Sequence, residues 1–425
     1  MPDRVDACFG VVRTTESALT TTRGSMARAA RRETHDPSQL PIADNEADSE
    51  PWLFRVQGVG CANCTPAVER RMLKHLLAGL LVLGLCIGQA GAADYPPPIE
   101  GDYIAKNFRF AGGEVLPELR LHYRTLGTPQ RNAQGQVLNA VLILHGTGGQ
   151  FIRPEFAGEL FGVDGVLDAS RFYLILPDGI GHGRSSKPSD GLRAGFPRYG
   201  YEDMVRAEHL LLTEALNVNH LRLVMGTSMG GMHTWLWGER YPGFMDALMP
   251  LASLPIQISG RNRIWRRVII DAIRHDPAWQ SGNYTKQPPS LATASEMLMF
   301  MSSNPPLRQQ QMPTVAAADA AIDKIVANGE RNIDANDTVY QLEASGDYDP
   351  GPGLEKIQAP LLAVNSTDDL INPPELGILE REIRRVPKGS MVMIPLSPDT
   401  RGHGSHTMAA LWKEHLQGLL RATAR

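Results

Sequence analysis

The order of apolar and polar positions after residue 93 predicts one antiparallel pair of strands, followed by a series of buried strands. Residues 103–110 (YIAKNFRF) and 119–127 (LRLHYRTLG) alternate apolar with polar positions around the turn AGGE, as the two arms of a hairpin do. Shorter runs farther along are apolar almost throughout, which is typical of strands covered on both faces of a parallel sheet. These runs lie at 140–146, 172–178, 221–226, 247–253, 360–366 and 391–396.

Helical periodicity separates the apolar runs. Residues 201–216 place apolar side chains three and four positions apart, which predicts a helix between two strands. Strands that alternate with helices indicate an α/β fold with a mostly parallel, doubly wound sheet, here opened by the antiparallel hairpin. Residues 254–358 interrupt this alternation with helical patterns only. We expect this insertion to form a helical cap over the carboxyl ends of the strands, where substrate-binding loops gather in such folds.

Composition narrows the possible functions. The chain has 425 residues, of which 42% are hydrophobic and 21% charged, and its net charge of −4 gives no basis for binding nucleic acid. All four cysteines, Cys8, Cys61, Cys64 and Cys86, precede the predicted domain. The chemistry of that domain must therefore depend on hydroxyl, imidazole and carboxylate groups. Its sequence lacks a His-rich ligand spacing, so we expect neither a metal ion nor a cofactor.

The first 71 residues are predicted to be a disordered leader or the product of a start assigned too early, since Met72 is a natural start. Cys61 and Cys64 have a Cys-x-x-Cys spacing, and the residues around them resemble the metal loop of heavy-metal-associated domains. The remaining strands and helix of such a domain are missing before residue 72. We therefore assign this fragment no function.

Residues 72–92 have the order of a secretory signal. Basic residues precede an apolar run at 76–87, and small residues follow at 90–92. The apolar run is shorter than the roughly 20 residues that a membrane-spanning helix needs. We expect a signal peptide at 72–92, a periplasmic or secreted domain at 93–425, and membrane contact through this signal alone. The alternatives are a short buried helix or a membrane anchor, and a mature protein beginning at Ala93 would decide between them.

Residues 226–230 match the pattern Gly-x-Ser-x-Gly, with Ser228 at its centre. An apolar strand ends at Gly226, and a helical pattern follows, with Met232, Trp235 and Leu236 on one face. This strand–turn–helix context is the one in which the motif exposes a nucleophile at the amino end of a helix, where a developing anion is favoured. The alternative is a glycine-rich turn with an incidental serine. The flanking strand and helix favour the nucleophile.

A serine hydroxyl needs a base to take its proton and a carboxylate to orient that base. In this fold the carboxylate and then the histidine follow the serine in the chain. Asp369 is preferred to Asp368 as the carboxylate, because Pro373 closes the turn after it. The alternative role for either is a helix N-cap.

Two histidines follow the last predicted strand. His403 lies between Gly402 and Gly404, which leave its imidazole room to approach the serine, so it is preferred to His406 as the base. We expect His406 to begin the terminal helix. The alternative for His403 is a surface histidine.

An oxyanion hole should pair the N–H that follows the nucleophile, from Met229, with an N–H from the loop after an earlier strand. The loop LHGTGGQ makes Thr147 the candidate second donor. His145 precedes the serine in the chain, and we expect it to pack this loop. His182, in another glycine-rich loop, is expected to border the pocket.

From about Tyr103 to its end, the chain resembles the α/β-hydrolase superfamily, and within it the homoserine O-acetyltransferase-like branch. The similarity covers the serine turn and its helix (GTSMGGMHTWLWGERYP), two cap segments, the acid loop (DDLINPP) and the histidine loop (RGHGSH). It implies a catalytic triad of Ser228, Asp369 and His403, and acyl transfer through an acyl-serine intermediate.

The chain departs from that branch in its cap. The arginine-bearing segment by which the acetyltransferases hold an amino-acid carboxylate is missing between Tyr284 and Asn332, where Arg261 and Arg263 are the candidate substitutes. Export would also separate the enzyme from cytosolic acetyl-coenzyme A and leave water as the acyl acceptor. We therefore expect an exported serine hydrolase that cleaves a small-molecule ester or similar acyl compound. The alternative is an O-acyltransferase that moves an acyl group from coenzyme A to an alcohol.

Overall fold

The computed structural model describes residues 95–149 and 153–424. The predicted leader at 1–71, with its Cys-x-x-Cys fragment, and the predicted signal peptide at 72–92 lie outside the described residues.

An eight-stranded sheet forms the centre of the described structure, with the spatial order β1-β2-β4-β3-β5-β6-β7-β8. Strand β2 is antiparallel to both of its neighbours, and the pairs from β4 to β8 are parallel. The predicted mostly parallel sheet with an opening antiparallel hairpin is therefore confirmed. The strands are β1 Ile99–Arg109, β2 Val115–Leu126, β3 Ala140–Leu144, β4 Tyr173–Pro177, β5 Leu223–Thr227, β6 Leu248–Leu251, β7 Leu361–Ser366 and β8 Gly389–Ile394.

The apolar runs form strands because both faces of the sheet are covered. Every residue of β3, β4, β5 and β6 is buried, as expected for the inner strands of a parallel sheet packed between helices. The hairpin at the edge keeps its alternation, and Tyr103 of β1 pairs with Leu121 of β2. Because β3, β5, β7 and β8 are parallel, the loops after them emerge at the same edge of the sheet.

Nine α-helices lie in the described ranges. They are α1 Tyr201–Leu210, α2 Met229–Arg240, α3 Gly260–His275, α4 Ala292–Ser302, α5 Pro305–Gln311, α6 Val315–Asn332, α7 Ala335–Ala344, α8 Ile378–Glu382 and α9 Lys413–Ala422. The helix predicted at 201–216 is α1 together with a turn of π-helix, Leu211–Ala215. No helix in the described part of the chain is long and apolar enough to cross a membrane.

Helix α2 is more deeply buried than its periodicity predicts. One apolar face was expected, but every residue from Met229 to Gly238 is buried. Its polar residues have internal partners that offset the cost of burial: the His233 ring contacts Glu208 at 3.0 Å, and the Thr234 hydroxyl donates to the carbonyl of Gly230 at 2.8 Å. The helix that follows Ser228 is therefore fixed on all sides.

Residues 254–358 connect β6 to β7 and contain helices α3 to α7. They enclose a separate apolar cluster that includes Trp265, Ile269 and Val339. The cap also contacts the loop after β4, since the amide of Gln341 donates to the carbonyl of Gly181 at 2.6 Å and the Tyr340 hydroxyl donates to that of Phe196 at 2.7 Å. The insertion therefore lies against loops at the carboxyl edge of the sheet, as expected.

Candidate active site

Ser228 occupies the tight turn between β5 and α2. Its backbone has φ 55° and ψ −112°, a strained conformation that residues other than glycine seldom adopt and that is found mainly at functional sites. A Cβ atom on Gly226 would lie 2.2 Å from the carbonyl oxygen of Gly230, and one on Gly230 would lie 2.0 Å from that of Leu144. Both glycines are needed for the close approach of backbone to backbone. The turn leaves the serine side chain partly exposed at the amino end of α2.

One chain of hydrogen bonds joins Ser228 to His403 and His403 to Asp369. The Oγ of Ser228 lies 2.8 Å from Nε2 of His403, and Nδ1 of His403 lies 2.8 Å from Oδ2 of Asp369. Since the ionised carboxylate can only accept, Nδ1 carries a proton and Nε2 of the neutral ring accepts the hydrogen bond from the serine hydroxyl. The structure thus brings together three residues from the loops after β5, β7 and β8.

The Asp369 carboxylate is buried and fully partnered. Its Oδ1 accepts from the backbone N–H groups of Ile371 at 2.7 Å and Asn372 at 3.1 Å, and its Oδ2 also accepts from the Asn372 amide at 3.0 Å. Burial by itself raises the pKa of Asp369, but His403 and the hydrogen bonds from Asn372 outweigh it and hold that pKa below its usual value. Asp369 therefore remains ionised beside the imidazole.

Asn372 was not among the residues predicted from the sequence. Its side chain is 1% exposed, and its Nδ2 also donates to the carbonyl of Ala252 at 2.8 Å. It thereby ties the turn that carries Asp369 to the end of β6. Its position three residues after the aspartate was visible in the sequence, but its inward orientation was not.

Asp368 and His406, the alternatives to Asp369 and His403, lie near the site but make other contacts. Asp368 accepts hydrogen bonds from the backbone N–H of Gly402 and the side chain of Asn304. The expectation that His406 begins the terminal helix is wrong, because His406 lies in a 3₁₀ turn, Gly404–Thr407, and α9 begins at Lys413. The segment between them contains a further 3₁₀ turn and supplies buried Ala409 and Trp412 to the core, so the regular helix starts later.

The loop after β3 passes directly over the serine. A Cβ atom on Gly146 would lie 3.4 Å from the Cβ of Ser228, and Thr147 follows in the chain. On the other side of the serine, Met229 opens α2, where backbone N–H groups have no intrahelical acceptor. The two predicted oxyanion donors thus belong to segments that adjoin Ser228. Their catalytic role stays a prediction.

His145 fixes this loop from behind. Its Nε2 accepts from the backbone N–H of Gly179 at 2.9 Å, so its Nδ1 must carry the proton that it donates to the carbonyl of Gly146 at 2.7 Å. Burial lowers the pKa of His145, which keeps the ring neutral as this pattern requires. The ring therefore connects the loop after β3 with the loop after β4.

The loop after β3 lines part of a cavity of about 540 Å³. Thr147 and Gly148 line one wall, and Asp337 and Gln341 of the cap line another. Burial raises the pKa of Asp337 to about 6, although hydrogen bonds from Ser189 oppose this effect. The cavity is lined by both acidic and basic groups, and Ser228, Asp369 and His403 are not among its lining residues.

His182 also lines this cavity. Burial, followed by the neighbouring His145 ring, lowers the pKa of His182 to about 3. Its Nδ1 lies 3.0 Å from the carbonyl of Ile180 and carries the proton of the neutral ring.

Arg261 and Arg263 both lie in the first turn of α3, away from this cavity. Arg263 lines a different cavity, together with Arg267 and Ser345, and Arg261 is exposed, with a contact to the sulfur of Met301 at 3.7 Å. Among the described residues, no group of three or more His, Cys, Asp or Glu side chains could hold a metal ion.

Comparison with known proteins places this geometry in context. Residues 139–394 match the model of the α/β-hydrolase fold family. A homoserine O-acetyltransferase from Trichormus variabilis is 31% identical over 295 residues, which cover 63% of this chain and 79% of that protein.

Two solved structures share the fold. An acetylester hydrolase from Corynebacterium glutamicum has a TM-score of 0.66 at 20% identity, over 76% of this chain and 96% of that one. A homoserine O-acetyltransferase from Bacillus anthracis also has a TM-score of 0.66 at 20% identity, over 76% of this chain and 98% of that one.

Proposed function

The chain belongs to the α/β-hydrolase fold family, in its homoserine O-acetyltransferase-like branch, and from this premise we propose that it is an exported serine hydrolase. Its substrate is a small ester or similar acyl compound, cleaved through an acyl-serine intermediate. The observation that carries the proposal is the hydrogen-bonded chain from Ser228 through His403 to Asp369. Membership of the family makes the protein an enzyme with hydrolase or acyltransferase activity. The residue roles and the choice of water as acceptor are the proposal.

In the acylation step, Oγ of Ser228 attacks the carbonyl carbon of the ester while Nε2 of His403 takes the hydroxyl proton. Asp369, ionised beside Nδ1, stabilises the imidazolium that forms. The negative charge moves to the carbonyl oxygen, where the N–H groups of Met229 and Thr147 stabilise it. The intermediate then collapses, and the leaving alcohol takes the proton from His403.

In the deacylation step, water replaces the alcohol. His403 takes a proton from the water, the hydroxide oxygen bonds to the acyl carbon, and Oγ of Ser228 leaves with the proton that His403 returns. The products are a carboxylic acid and the free enzyme. In an acyltransferase the same steps run with an alcohol in place of water.

Hydrolysis of 4-nitrophenyl acetate tests the proposal. We expect turnover by the wild type and its loss in Ser228→Ala, together with covalent labelling of Ser228 by a fluorophosphonate. Ser390→Ala is the matched control, because Ser390 lies at the start of β8, at the opposite edge of the sheet from Ser228, and should keep wild-type turnover. No turnover by the wild type, or equal turnover by Ser228→Ala, would remove the proposal.

The similarity to homoserine O-acetyltransferases favours acyl transfer as the second candidate. The wild-type enzyme should then acetylate homoserine from acetyl-coenzyme A faster than it releases acetate, which mass spectrometry of the products measures. Export has a separate test, the N-terminal sequence of the mature protein after expression of the full chain in a bacterial host. A start at Ala93 supports export, and retention of residues 72–92 on a cytosolic protein contradicts it.

A further inference from the structure

Asp368 and Asn304 hold the loop that carries His403. Oδ2 of Asp368 accepts from the backbone N–H of Gly402 at 2.8 Å and from Nδ2 of Asn304 at 2.7 Å. The same Nδ2 donates to the carbonyl of Thr400 at 3.0 Å. The two side chains therefore bond to backbone groups of residues one and three positions before His403.

Asn304 reaches this loop from the cap, and its orientation is fixed. Its Oδ1 accepts from the N–H of Leu307 at 2.7 Å, which caps α5, and its side chain is 1% exposed. With Oδ1 held by the helix, Nδ2 must point toward Asp368. A buried amide with every group satisfied has one low-energy arrangement.

The backbone of the cap also contacts the histidine loop. Gly402 has φ 60°, and a Cβ atom there would lie 2.8 Å from the carbonyl carbon of Ser303. The segment Ser303–Asn304 and the residue before His403 are thus in direct contact. The position of His403 therefore depends on this contact with the cap as well as on β8.

We propose that Asn304 and Asp368 are positioning residues for His403, and that the cap, through Asn304, holds the imidazole within hydrogen-bonding distance of Ser228. This inference rests on the proposed function, because it requires His403 to be the base. Neither residue needs to touch the substrate. Their loss should therefore lower kcat far more than it changes KM, because a displacement of about 1 Å at a reacting group can cost on the order of 100-fold in rate.

Four variants of the full chain test the proposal with 4-nitrophenyl acetate. Asn304→Ala and Asp368→Ala should each lower kcat about 100-fold, while KM stays within about threefold. Asp368→Asn should retain most activity, since its amide oxygen can accept both hydrogen bonds and its NH₂ takes the position of Oδ1, which is buried without a partner. Asp399→Asn, an exposed carboxylate in the same loop, is the matched control and should match the wild type.

An exchange that keeps the size of the side chain separates positioning from loss of packing. Asn304→Asp brings two carboxylates together and should lower kcat at least as much as Asn304→Ala. The rate at which a fluorophosphonate labels Ser228 should follow kcat across the series.

The inference is overturned if Asn304→Ala retains kcat within threefold, if KM rises as much as kcat falls, or if Asn304→Asp keeps wild-type kcat. Should the alanine variants fail to fold, Asn304→Asp decides by the same criteria. His403→Ala distinguishes the two levels of the argument. Wild-type activity in His403→Ala removes the proposed function, whereas its inactivity beside an unaffected Asn304→Ala removes this inference alone.

Discussion

Replacement of Gly230 by alanine tests whether the serine turn depends on backbone contact. The added Cβ would lie 2.0 Å from the carbonyl oxygen of Leu144, about 1 Å inside the 3.0 Å limit below which real Cβ contacts essentially never fall. Backbone must move, because the atoms that the Cβ meets belong to β3 and to the start of its loop. We expect α2 to shift by about 1 Å relative to the loop that carries Thr147. Both α2 and β3 are buried by their neighbours, so neither can move far enough alone to relieve the contact.

Two quantities should change. Overpacking of this kind costs about 1–3 kcal/mol, so the free energy of unfolding in urea, followed by tryptophan fluorescence, should fall by that amount. A shift of about 1 Å between Ser228 and the oxyanion donors should lower kcat/KM for 4-nitrophenyl acetate on the order of 100-fold. Gly243→Ala is the control, because a Cβ there meets nothing within 4 Å. A Gly230→Ala enzyme with wild-type stability and activity would refute the reasoning.

Three further predictions concern the buried polar groups. Asp369→Asn should lower kcat on the order of 10⁴-fold at unchanged KM, because its amide NH₂ cannot accept from Nδ1 of His403 and favours the wrong tautomer of the ring. A loss below tenfold in steady-state kinetics would contradict this prediction. Asn372→Ala removes a donor from a buried carboxylate and should lower the free energy of unfolding by about 1–3 kcal/mol, measured in urea, and an unchanged midpoint would count against it. The pKa of His182 is about 3 in the folded protein and near 6.5 in the unfolded chain, so the unfolded chain binds a proton at higher pH. The free energy of unfolding is therefore unaffected by His182 above pH 6.5 and falls as the pH drops from 6.5 toward 3. His182→Asn should reduce the acid slope of the unfolding free energy by up to about 1.4 kcal/mol per pH unit, and an unaltered slope would exclude that origin.

The sheet could be predicted from the sequence because its signal is local. Each apolar run that predicted a strand overlaps one, and the hairpin at 103–127 follows from alternation alone. The serine turn was predictable for the same reason, since Gly226, Ser228 and Gly230 are neighbours in the chain. The order of nucleophile, acid and base left Asp368 or Asp369 as the acid and His403 or His406 as the base. Pro373 and the glycines beside His403 then favoured Asp369 and His403.

The rest depends on contacts between distant positions. Asn304 and Asp368 are 64 residues apart, and the sequence of neither indicates the other. The full burial of α2 arises from packing on several sides at once, which periodicity within one helix cannot represent. The prediction that His406 begins the terminal helix was wrong because a histidine carries no local signal for where a helix starts. The helix starts later because Trp412 occupies a core position.

The insertion at 254–358 leaves the sheet after β6 and returns to it at β7, and these strands are neighbours, with Leu248 beside Leu361. Because β6 and β7 are parallel, the insertion leaves at the carboxyl end of β6 and returns at the amino end of β7. A replacement segment must therefore cross the height of the sheet, about 10 Å from Leu251 back to Leu248, but its length can otherwise vary without disturbing the register. Such modularity lets substrate range diverge in evolution while the chemistry persists. Asn304 limits which segments can replace the cap. A replacement that lacks a side chain bonded to the loop of His403 is expected to bind its new substrate but to turn it over slowly.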